Sequence, residues 1–166
     1  MANIGIQTLT ASDIHDVTTV KQGVLGSFAT TADGRKYRYA KNGAVALAAG
    51  ATVIAPTQAA YASTTSAARK VADGVVPTAG TVSASNAPKY EDGVLTIDSA
   101  KYLATGVAQD GTISLTDKLD RAVASGATTS LAVNQFAGVT ASATNPIATA
   151  EVAVPANAYF WAFVTA

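Results

Sequence analysis

The residues that could do chemistry are few and far apart. His15 is the single histidine, set between Asp13 and Asp16, and it alone could act as an imidazole base or metal ligand. Either role needs an imidazole held by partners on a rigid scaffold, and this one falls in a segment read below as an extended arm, so a solvated or interface histidine is expected. Asp33, Asp73, Asp92 and Asp110 each precede a glycine. That dipeptide is what left-handed turn geometry selects, so these carboxylates read as turn formers, and nothing in their spacing suggests a glycosidase pair. Cysteine is absent, which removes disulfides, thiolate metal sites and a cysteine nucleophile together. No phosphate loop, dinucleotide fingerprint or nucleophile elbow occurs. The expectation is a protein without catalysis, metal or cofactor.

One run does look like a binding element. Arg35, Lys36, Arg38 and Lys41 interleave with Tyr37 and Tyr39, and cations alternating with aromatic rings are how single-stranded nucleic acid is held. Lys plus Arg is 11 and Asp plus Glu is 11, for a net charge of zero, which supplies no long-range field for nucleic acid or an anionic membrane. Strand alternation also splits the basic residues from the tyrosines. A hairpin at a protein interface is the preferred reading, with no nucleic acid and no membrane as partner. The interface candidates are Lys36, Tyr37, Arg38 and Tyr39, joined by Ile4, Ile6 and Leu9 from the arm.

The elements that must position these residues are short and β-like. Lys36 to Pro56 packs two strands and two turns into one run: Asn42-Gly43 supplies the first reversal, and Gly50 marks the second before Val53-Ile54. Asp33-Gly34 reads as the turn of a hairpin between Phe28 and Tyr37, and Asp110-Gly111 as the turn of a second hairpin. Residues 44–49 read as strand or loop, 17–20 as strand over helix because of their β-branched run, and 67–72 as either a short helix or part of a strand-loop-strand. Residues 117–123 could form one helical turn. Tyr159, Phe160, Trp161 and Phe163 crowd into a closing strand whose bulk suits the core.

The chain has 166 residues, enough for one domain with an arm. The expected organisation is an extended N-terminal arm over 1–27 and a single β-rich domain over 28–166. The fold class is mainly β, a compact barrel or sandwich with hairpin or Greek-key connections and less than about a fifth helix. Apolar residues make up 49% of the chain, a share inflated by alanine, while charged residues are only 13%, against roughly 25% in ordinary soluble domains. Surface lacking charge suggests interface. The N-terminus has no basic region followed by a long apolar run, and no segment approaches the roughly 18 apolar residues of a membrane-spanning helix.

Three stretches carry a resemblance: GRKYRYAKNGAVALAAGATVIAP, then YEDGVLTID with TISLTDKLDRAV, and the ending LAVNQFAGVTASATNPIATAEVAVPANAYFWAFVTA. Together they cover most of the chain from Gly34, and with them the sequence resembles small structural proteins of tailed bacteriophages encoded among head genes. It departs from that group at its end, where resembling chains continue with a Trp-Gly-Pro-like tail and this one reads FVTA. The resemblance implies a virion component on the capsid surface, made in the host cytoplasm. Its implied role is a decoration or cement protein bound to the major capsid protein and to copies of itself, a trimer being one such arrangement. A tail or head-tail connector is the nearest alternative, and a carbohydrate-binding β domain the alternative outside the virion.

Overall fold

A computed structural model describes residues 7–164. It is mainly β, with 41% strand and 4% helix, in the class that the sequence indicates. The chain forms two compact units, one from Met1–Pro56 with Gln135–Ala166 and one from Thr57–Asn134.

The first unit contains β1 (Gln7–Leu9), β2 (Phe28–Thr31), β3 (Lys36–Asn42), β4 (Ala51–Ile54), β11 (Ala137–Ala141), β12 (Ala148–Ala150) and β13 (Tyr159–Val164), numbered along the whole chain. Strands β3, β11, β4, β12 and β13 pair in that order, and β13 returns to β3, closing a five-stranded barrel. β3 is the hub. One edge pairs with β13 from Lys36 to Lys41; the other is shared between β2 at its start and β11, in parallel, at its end. A five-stranded barrel has a narrow bore, and its inward positions are correspondingly small: Ala40, Val53, Val139, Ala150 and Ala162 are all fully buried. Phe160, 1% exposed, is the one large ring among them. Part of the alanine content is therefore barrel lining.

The opposite face of the β3–β13 pair carries a ladder of cross-strand neighbours: Tyr37 with Phe163, Tyr39 with Trp161, and Lys41 with Tyr159. Residues 7–27, read from the sequence as an extended arm, lie over this ladder. β1 adds to β2 in parallel, and a 3-10 turn at Asp13–His15 brings Ile14 inward. Leu9 and Ile14 pack with Ala29 and Tyr37 against Trp161 and Phe163. The strand anticipated at 17–20 reduces to one bridge, Thr18 with Tyr159, before the chain loops to Leu25, which packs on the main core.

The second unit contains β5 (Tyr61–Thr64), β6 (Val75–Val76), a 3-10 turn (Ala87–Tyr90), β7 (Val94–Ile97), β8 (Ala100–Val107), β9 (Ile113–Leu115) and β10 (Thr128–Ala132). Its sheet runs β5-β10-β7-β8-β9-β6 and curls into a half-barrel, with an isolated Thr65–Thr78 bridge just past its two end strands. Leu95, Ile97, Ile113 and Leu131 form the centre of a separate core. The β8–β9 hairpin turns at Asp110-Gly111, as the sequence indicates, with the Asp110 carboxylate accepting from the Thr112 N–H at 2.9 Å. The β7–β8 hairpin turns at Asp98 and Ser99, with φ of 45° and 71°, the type I′ pattern built without its usual glycine. Neither 67–72 nor 117–123 is helical.

Those two segments instead form one copy of a device that appears once in each unit. In the first unit, Leu47 and Val154 exchange backbone hydrogen bonds of 2.8 and 3.0 Å, while Gly50 N–H donates to Ala150 and Asn157 N–H to Gly43. In the second, Arg69 and Val123 exchange bonds of 2.8 and 2.9 Å, while Ala72 N–H donates to Leu119 and Gly126 N–H to Thr65. Every spacing matches: each outer bond joins the residue three after one bridge position to the residue four before the other. Gly50, Asn157, Ala72 and Gly126 all have positive φ at the third position of a hydrogen-bonded turn, the type II pattern. Each turn then feeds a strand: β4, β13, β6 and β10.

Candidate functional site

The structure redistributes the interface candidates. Tyr37 is 0% exposed and Tyr39 and Leu9 are each 3% exposed, so these three belong to the protein's own core and supply no outer contact. The reason is the cover formed by residues 7–27, which occupies the face where the tyrosines project. Lys36 is exposed; Arg38 is half-buried, its Nη1 donating to the Gly26 carbonyl at 2.8 Å while its guanidinium lies 5.0 Å from the Phe28 ring centre. Ile4 and Ile6 lie outside the described residues. His15 is exposed.

Tyr37 also ends in a polar network. Its hydroxyl donates to Glu151 Oε2 at 2.7 Å, Arg35 lies 3.6 Å from the other oxygen of that carboxylate, and Arg35 Nε donates to Asp33 at 2.9 Å. Burial, reinforced by the Glu151 carboxylate, pushes the Tyr37 phenol up to about 12. The Thr31 hydroxyl donates to Asp33 and is the main cause that lowers that aspartate's pKa. This network ties the β2–β3 turn to the chain beyond β12.

Two surface features remain. The first is the crossing of 43–50 with 150–157. Val45 is 76% exposed, Ala44, Ala46 and Ala48 beside it are exposed, and so are Pro155 and Ala156 across the bridge. The one charged residue in these spans, Glu151, is turned to Tyr37 and Arg35. Beneath the crossing, the Asn42 side-chain amide donates to the carbonyls of Val45, Val154 and Pro155. The matching crossing in the second unit also exposes a valine, Val71, at 59%, but it differs in charge, with Lys70, Asp120 and Arg121 exposed. Asp120 accepts from Arg121 and from the Tyr102 hydroxyl, which hold its carboxyl down at about 2.

The second feature is a recess of about 190 Å³ that the N-terminal cover leaves above the aromatic ladder. Its floor is Tyr39, Tyr159 and Trp161. The rings of Tyr39 and Tyr159 are stacked at 5.9 Å and those of Tyr39 and Trp161 are tilted at 5.1 Å. Asp13, Asp16 and Gln22 stand among its walls. The aromatic clusters are visible in the sequence; the pairing that brings them together, and the cover that encloses the space, depend on contacts far apart along the chain.

Comparison with known protein families, with characterised proteins and with solved structures finds no match to this chain.

Proposed function

We propose that the chain is a virion structural protein that docks on an assembled capsid lattice and stabilises it. The uncharged crossing on the first unit carries this reading. Two backbone devices of the same design face solvent, one bearing ordinary surface charge and the other bare, with Val45 and a bed of alanines exposed. Charge is depleted at the centre of an interface and an exposed apolar patch marks an interaction site, while small side chains let a partner's backbone approach closely. The sequence resemblance to phage head proteins names the kind of partner, a capsid subunit.

Stabilisation follows from mass action. A protein that binds only the assembled lattice lowers its free energy by RT ln(1 + [L]/Kd), about 2.7 kcal/mol per site at a hundredfold excess over Kd, and the term is repeated at every site. Apolar contacts also make such binding less dependent on salt than ion pairs would.

The test is binding to undecorated particles. Val45→Asp places a charge on the bare crossing at an exposed position; it should leave the melting temperature of the free protein within a few degrees while abolishing decoration. Decorated particles should survive heat or osmotic shock that breaks bare ones. Equal binding by Val45→Asp, or equal resistance of decorated and bare particles, would sink this reading. Occurrence as a single ring per virion would assign the protein to a connector instead.

A further inference from the structure

The recess above Tyr39, Tyr159 and Trp161 holds carboxylates that no cation among the described residues lining it answers. Asp13 takes both donors from Thr10, its N–H at 2.8 Å and its hydroxyl at 2.6 Å, on one oxygen, Oδ2. These bonds keep the Asp13 carboxyl below its usual pKa and leave Oδ1 open. Asp16, exposed, makes no side-chain hydrogen bond or ion pair among the described residues. No lysine, arginine or histidine is among the residues lining the recess; Lys41 Nζ, 5.2 Å from the Tyr159 ring centre, lies outside that lining. Aromatic faces carry a negative quadrupole; Tyr39 and Tyr159 are only 3% and 8% exposed, so the half-buried Trp161 is the ring that presents surface to a guest, and it and the carboxylates favour the same sign of charge.

The geometry points to a binding site for a planar organic cation, the guanidinium of an arginine side chain presented by a protein partner. A guanidinium is flat and weakly hydrated, stacks on aromatic rings and pairs with a carboxylate through two parallel N–H groups, whereas an ammonium is a compact, strongly hydrated point charge. A volume of about 190 Å³ holds the end of one side chain. Arginine is also among the residue types enriched where binding energy concentrates at protein interfaces. A neutral sugar could stack on Trp161 but would leave the uncompensated charge unused. The choice of a capsid subunit as the partner rests on the lattice reading above; the preference for a guanidinium rests on the recess alone.

Trp161 is the only tryptophan in the chain, so its fluorescence reports occupancy directly. The full chain is titrated at low salt with N-acetylarginine amide, with the lysine analogue, with the uncharged isostere N-acetylcitrulline amide and with neutral hexoses. The expected result is a saturable change with arginine, Kd on the order of 1–10 mM for so small a probe, a weaker one with lysine, and none with citrulline or sugar. Asp16→Asn removes one carboxylate that no side-chain contact among the described residues uses, and should weaken arginine binding by about fivefold with an unchanged melting temperature. A citrulline response equal to arginine's, saturation by a sugar instead, no arginine response, or an arginine response unaffected by Asp16→Asn would each overturn the site. Particle binding by Asp16→Asn is read separately. If arginine binding falls while decoration is undiminished, the recess does not serve the lattice, and the lattice reading stands on Val45→Asp by its own test.

Discussion

Adjacent aromatic residues in β13 meet opposite surroundings, and substitution should separate them. Phe160 fills the bore of a barrel otherwise lined by alanine and valine, and those neighbours cannot relax into its space. Phe160→Ala should cost about 3–5 kcal/mol in denaturant unfolding. Trp161 is only half-buried at the floor of the recess, so Trp161→Ala should cost less, on the order of 1–3 kcal/mol. The sequence marks both as bulky and apolar but cannot say which faces the bore, because that depends on the register with β3. Tyr37 offers a pH test. Its folded pKa of about 12 lies above the ordinary value of 10, so the fold favours the protonated phenol. The associated stability is fully present below pH 10 and is lost as pH rises through 12. Tyr37→Phe should destabilise at neutral pH by about 1–3 kcal/mol, since Glu151 loses a donor. The difference between wild type and variant should shrink between pH 10 and pH 12, and thermal melts across that range would show it. A constant difference would mean that neither burial nor Glu151 raises the phenol.

At the scale of elements, what the sequence reveals follows from how local the cause is. The β2–β3 and β8–β9 turns announce themselves through Asp33-Gly34 and Asp110-Gly111. The β7–β8 turn hides because Asp98 and Ser99 accept positive φ without glycine. The crossings hide more fully: Ala72 and Asn157 stand where Gly50 and Gly126 stand in their counterparts, so identical backbone comes from unlike sequences. Residues 7–27 lack a periodic apolar stripe, and only the aromatic ladder beneath explains why Leu9, Ile14 and Leu25 are buried there. The crossings should be sensitive where a side chain anchors their turns. Asn42 ties three carbonyls in the first unit. Thr65 does comparable work in the second, donating to Ala124 at 2.6 Å and accepting from the Ala127 N–H at 2.9 Å. Asn42→Ala should cost about 2–4 kcal/mol and Thr65→Val about 1–3 kcal/mol, from the side-chain hydrogen bonds lost to the turns. Asn42→Asp should be worse than Asn42→Ala, because it turns a carboxylate toward those carbonyls. Equilibrium denaturation ranks all three, and a neutral Asn42→Ala would show that the turns hold without their anchor.

Across the whole molecule, the division into two units has a consequence for how stability is distributed. Each unit has its own apolar cluster, one centred on Phe160, Val53 and Val139 and the other on Leu95, Ile97 and Leu131, and each is latched by its own crossing. Destabilisation introduced in one core should therefore remain largely in that unit. Native-state hydrogen exchange resolves this, since local and sub-global openings report their own free energies. Phe160→Ala should speed exchange in β3, β4, β12 and β13 while β7, β8 and β10 keep their protection. Leu131→Ala, which empties a fully buried position in the second unit at a cost of about 2–5 kcal/mol, should do the reverse. The two profiles should be complementary, and a protein carrying both substitutions should show nearly additive losses, as independent sites do. If either substitution lowered protection equally along the chain, the protein would unfold as one cooperative body.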